Sequence, residues 1–74
     1  HQHAVRCVAI HPDGQTVASG SVDGEIRLWR TLDGSLCQVL SGHGSSVLSL
    51  AFSHDGALLA SGDGDGRIAL WQPA

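Results

Sequence analysis

Two stretches decide the fold: HQHAVRCVAIHPDGQTVASGSVDGEIRLWRTL at residues 1–32 and HGSSVLSLAFSHDGALLASGDGDGRIALWQPA at residues 43–74. They align without a gap at an offset of 42 residues and are identical at thirteen positions. The identities are of two kinds. Asp13/Asp55, Gly14/Gly56, Asp23/Asp65 and Gly24/Gly66 are turn residues, and Val5/Val47, Ala9/Ala51, Ile26/Ile68, Leu28/Leu70 and Trp29/Trp71 are apolar residues between the turns. A duplicated structural unit accounts for both kinds at once.

Working outward from the matched positions, each unit reads as short strands between turns. Residues 4–10 and 46–52 are apolar, with β-branched or bulky side chains at alternate sites. Asp-Gly turns follow at 13–14 and 55–56. Second strands are predicted at 16–20 and 58–62, and further Asp-Gly turns at 23–24 and 65–66. Third strands at 25–30 and 67–71 alternate, with Ile26 and Leu28, and Ile68 and Leu70, on one face. After a third turn at Asp33-Gly34, residues 36–40 form a fourth strand, and the second repeat has no counterpart of 33–42. No stretch carries a helical period. The prediction is an all-β chain of two antiparallel sheets, residues 1–42 and 43–74, the second lacking its outer strand. A four-stranded sheet with two apolar faces cannot bury itself and must stack on neighbours.

Composition narrows the function. The chain has 74 residues, 42% hydrophobic and 15% charged, with a net charge of −3 carried against four Arg and no Lys. That charge excludes the basic stripe of a nucleic-acid surface. No apolar run approaches the ~18 residues of a membrane span, and no secretory signal pattern is visible. Cys7 and Cys37 are too few for a disulfide framework, so a cytoplasmic setting is expected. Met is absent even at position 1, and the chain reads as a fragment or processed piece of a longer one.

The residues resemble the WD-repeat family of β-propellers. The pattern is Gly42-His43, Val47-x-x-Leu50-x-Phe52, Asp55-Gly56, Leu59-Ala60-Ser61-Gly62, Asp65-Gly66 and Ile68-x-Leu70-Trp71. It recurs as Val5-x-x-Val8-x-Ile10, Asp13-Gly14, Val17-Ala18-Ser19-Gly20, Asp23-Gly24 and Ile26-Arg27-Leu28-Trp29. The resemblance covers the whole chain. It departs from the family where Arg30 follows Trp29 and Gln72 follows Trp71, in place of the Asp of the Trp-Asp dipeptide. It implies two blades of a propeller ring and a structural hydrogen-bond network in each: His1, Ser19, Asp23 and Trp29 in the first, His43, Ser61, Asp65 and Trp71 in the second. It further implies a binding scaffold whose loops meet protein partners. The candidate loop residues are Gln2, His3, Val22, Glu25, Gly44, Ser45, Gly64 and Arg67.

Three other constellations compete with this pattern. His, Ser and Asp together suggest a hydrolase triad, but the set occurs twice and no G-x-S-x-G elbow is present, so no enzymatic activity is expected. His1, His3, Cys7 and His11 suggest a zinc site, but ligands strung along a strand that rises ~3.3 Å per residue cannot converge on one ion. Residues 63–66 suggest part of a calcium loop but lack the carboxylate at the twelfth position. No metal or cofactor is expected. Cys7 and Cys37, on the first and fourth strands, would lie about 14 Å apart across the sheet, too far for a disulfide, and are expected to be buried small apolar residues. The partner is expected to be protein, either copies of this chain or the remainder of a larger propeller. Two blades per copy give even-numbered rings, hence three or four copies where the chain stands alone.

Overall fold

A computed structural model of the chain describes residues 4–72. Seven strands follow one another: β1 (Val5–Ile10), β2 (Thr16–Ser21), β3 (Glu25–Arg30), β4 (Leu36–Ser41), β5 (Val47–Phe52), β6 (Leu59–Asp63) and β7 (Ile68–Trp71). They form a four-stranded antiparallel meander, β1-β2-β3-β4, and a three-stranded one, β5-β6-β7. Each strand lies within a residue or two of its sequence-predicted place.

The turns explain the chain reversals. Gly14, Gly24, Gly34, Gly56 and Gly66 all have φ between 72° and 85°, a left-handed conformation that residues with a β-carbon rarely adopt. The preceding carboxylate supports most of these turns. Asp13, Asp23, Asp33 and Asp55 each accept, through Oδ1, the amide two residues on. In both sheets the innermost strand carries a register shift, between Val5 and Cys7 and between Val47 and Ser49. Such bulges raise the local twist.

The two sheets stack with β5 over β1 and β2. Cross-strand partners share a face, so Cys7–Gly20–Ile26–Leu40 and Ala9–Ala18–Leu28 line the face of the first sheet turned to the second. The second sheet answers with Val47, Leu50, Phe52, Leu59 and Trp71, and the buried core is the seam between them. At Gly20 a β-carbon would lie 2.6 Å from Val47 Cγ1 and 2.8 Å from Cys7 Sγ, so only glycine allows this approach. Polar contacts cross the seam as well. Cys7 Sγ–H meets Val47 O at 3.5 Å, His11 Nε2 lies 3.1 Å from Gly56 O, and the His11 ring stands edge-on to Phe52 with centroids 5.1 Å apart.

The two cysteines are free, but only Cys7 is shielded. Cys37 is exposed, contrary to the expectation that both would be buried, because β4 is the edge strand of its sheet and, among the described residues, no strand pairs beyond it.

Candidate functional site

Two features emerge: a buried polar chain in the seam and a cluster of loops at one end of both sheets. In the second blade, Asp63 Oδ2 accepts from His43 Nδ1–H at 2.7 Å, since a carboxylate can only accept. His43 Nε2 lies 2.6 Å from Ser61 Oγ, which accepts from Trp71 Nε1–H at 2.9 Å. The His43 and Asp63 side chains are 2% and 0% exposed. The His43 imidazole and the Trp71 indole lie with centroids 6.4 Å apart.

The carboxylate in this network is Asp63 and not the expected Asp65, which is exposed. The reason is strand geometry. Residues i and i+2 of a strand share a face, so Ser61 and Asp63 point together toward His43, whereas Asp65 lies beyond the end of β6. Asp63 also takes over the turn: its Oδ1 accepts the amides of Asp65 and Arg67, both at 3.0 Å. His43 foremost, then these two amides, hold the Asp63 carboxyl below the ordinary carboxylate range, against the opposing effect of burial. The alternation Ser61-x-Asp63 was the sequence signal. It was obscured because the offset of 42 pairs Asp65 with Asp23 and leaves Ser21 opposite Asp63.

In the first blade Ser21 stands at the position of Asp63. Trp29 Nε1–H donates to Ser19 Oγ at 2.9 Å. Asp23 Oδ1 accepts from the Ser21 hydroxyl and from the Glu25 amide at 3.0 Å. Ser19 and Ser21 are buried. His1, Gln2 and His3 lie outside the described residues.

The order carboxylate, imidazole, hydroxyl is that of a hydrolase triad. Ser61, however, is 2% exposed, and its oxygen is shared between His43 and Trp71. The arrangement ties His43, β6 and β7 together as a polar clamp. Among the described residues no three His, Cys, Asp or Glu side chains are grouped to hold a metal ion. Cys7 Sγ and His11 Nε2 are instead engaged with the carbonyls of the second blade. Burial pushes the Cys7 thiol up, and the Gly20 backbone offsets this in part.

The remaining candidates gather at one end. The 22–24 turn, the 42–46 junction and the 64–67 turn touch one another: Ser46 Oγ–H donates to Val22 O at 3.2 Å and Gly64 N–H to Ser46 O at 3.0 Å. Gly24 packs directly against the His43 and Ser45 carbonyls. Val22, Gly44, Gly64 and Arg67 are exposed on this surface, and Glu25 and Ser45 half-buried. At the opposite end an open wedge of about 1000 Å³ lies between the blades, lined among others by His11, Arg30, Cys37 and Phe52.

Comparison with known proteins agrees with this architecture. The family model for the WD domain, G-beta repeat, matches residues 1–30 and 34–72. Human WD repeat-containing protein 86 is 45% identical over 47 residues, 64% of this chain and 12% of that protein. Periodic tryptophan protein 2 of Arabidopsis thaliana is 43% identical over 42 residues, 57% of this chain and 5% of that protein. Among solved structures, U3-55K superposes with a TM-score of 0.94 at 35% identity, covering 97% of this chain and 24% of that one. The computationally designed Ika4 protein superposes with a TM-score of 0.87 at 34% identity, covering the whole of this chain and 44% of that one. The chain thus spans a small part of the curated relatives and less than half of these solved chains. With two matched repeats, two stacked antiparallel sheets and propeller neighbours, this chain belongs to the WD40 family as a pair of propeller blades.

Proposed function

We propose that the chain is a non-catalytic sector of a WD-repeat propeller that scaffolds protein–protein interaction, with the partner docking on the end formed by Val22, Glu25, Gly44, Ser45, Gly64 and Arg67. The observation that carries this reading is that three loops from two blades are tied into one surface and anchored on a buried polar network. Binding residues on loops held by a rigid scaffold are the common arrangement. The repeats are assigned to residues 1–42 and 43–74, and the loop candidates Gln2 and His3 lie outside the described residues. A cytoplasmic setting accords with two unpaired cysteines. The described residues contain no helix long and apolar enough to cross a membrane.

The test is site-specific photo-cross-linking in cells. A photoreactive side chain at Gly44 or Arg67 captures a discrete protein partner, and the same group at Leu32 or Asp33, on the opposite end, does not. Equal capture from both ends, or none from the first, overturns the reading.

A further inference from the structure

Because the blades are one unit repeated 42 residues apart, each outer sheet face has a counterpart already covered inside the chain. On the outer face of the second blade, Ile68 and Leu70 are 79% and 67% exposed, while their counterparts Ile26 and Leu28 are 0% and 2% exposed beneath that blade. On the outer side of the first blade Val5 is 48% exposed, while its counterpart Val47 is 0% exposed.

The glycines show the same asymmetry. A β-carbon at Gly20 would strike Val47, but at Gly62 it meets only Ser49 Oγ at 2.8 Å and Arg67 O at 3.9 Å. Gly24 is covered by the carbonyls of the second blade and Gly56 by the His11 ring, whereas a β-carbon at Gly66 or Gly14 meets nothing within 4 Å among the described residues. One outer face therefore repeats one side of the existing seam, and the other outer face repeats its other side. They match each other and not themselves, which is the condition for a head-to-tail rather than a twofold contact. Exposed apolar faces of this kind are uncommon on monomers.

We propose that the chain docks head to tail on further copies of itself, the Ile68/Leu70 face of one copy seating on the Val5/Val8/Ile10 face of the next in the geometry of the intramolecular seam. Val5 then covers Gly62 as Val47 covers Gly20, and Ser49 Oγ–H donates to the Val5 carbonyl of the neighbour where Cys7 Sγ–H meets Val47 O. Rings of six or eight blades lie within the four to eight of propellers, so a ring takes three or four chains. The proposal rests on the seam between blades and is independent of the loop-face reading.

Native mass of the 74-residue chain tests it. The expected species is a single closed assembly of three or four times 7.7 kDa. Gly62→Leu blocks one face and Val8→Lys the other, so each variant alone is monomeric, with at least a tenfold loss of assembled fraction. Mixed in equal amounts, the two stop at a dimer, because one open face of each remains. Leu32→Lys, outside both faces, leaves the mass unchanged. Far-UV circular dichroism of the strands reports that the variants remain folded. A folded wild-type monomer, a wild-type chain that does not fold, or variants whose mixture stays monomeric overturns the proposal.

Discussion

Replacing Ser61 with alanine tests the central polar network. Ser61 Oγ serves two donors or acceptors at once: His43 Nε2 at 2.6 Å and Trp71 Nε1 at 2.9 Å. Ala at this site fits the strand but leaves both ring nitrogens without their partner. A buried polar group left unsatisfied costs about 1–3 kcal/mol. His43 is almost fully enclosed, so it incurs that cost, whereas Trp71 is half-buried and regains some water, adding about 1 kcal/mol. The expected loss is therefore about 2–4 kcal/mol. Urea unfolding at fixed protein concentration, followed by tryptophan emission, measures it, with an unchanged slope indicating an unchanged folded state. The same assay ranks the carboxylates: Asp63→Ala destabilises far more than Asp65→Ala, because Asp63 alone reaches His43. A Ser61→Ala loss under about 0.5 kcal/mol, the level of an ordinary surface substitution, or equal losses for the two Asp variants, refutes the network described.

Three further outcomes are expected. Asp63 has a folded-state carboxyl lowered chiefly by His43, so its stabilisation is present above the unfolded value near 3.8 and is lost as pH falls through the folded value; acid unfolding monitored below pH ~4 is steeper for the wild type than for Asp63→Asn. Gly20→Ala forces a β-carbon onto Val47 and destabilises by about 1–3 kcal/mol; unfolding in urea at wild-type midpoint contradicts this. Iodoacetamide at mild alkaline pH modifies exposed Cys37 much faster than Cys7, whose thiol is shielded and raised by burial; equal rates by mass spectrometry contradict the seam placement of Cys7.

The repeat made the fold legible. Strand order and turn positions follow from pairing 1–32 with 43–74, since period-two alternation and Asp-Gly turns are local signals. The seam was less legible. Sequence alternation shows that Ile26 and Ile68 share a facing, but not that one is enclosed and the other open, because that depends on which neighbour stacks on each sheet. In the second blade the network departs from expectation at its carboxylate, which is Asp63. Repeat identity favoured Asp65, and the stronger physical constraint was that only residues on the face of Ser61 can meet His43. The loop surface carries no repeating pattern, so its partner chemistry was not written in the sequence in the way the core was.

The polar contacts also explain why the blades stack in one register. Apolar faces alone tolerate sliding, because burial is roughly proportional to area and has no direction. Here directional contacts cross the seam at three levels. At the loop end, Ser46 Oγ–H reaches Val22 O and the His43 carbonyl rests on Gly24. In the middle, Cys7 Sγ–H meets Val47 O beside Gly20. At the far end, His11 Nε2 meets Gly56 O. A slip of one residue along the strands, about 3.3 Å, would break all three and bring side chains over the glycine gaps. His43 joins these levels to the interior of the second blade: its ring binds Ser61 and Asp63, while its carbonyl contacts the first blade. The burial that holds the blades together is thus non-specific, and their alignment is set by a few hydrogen bonds and close glycine contacts.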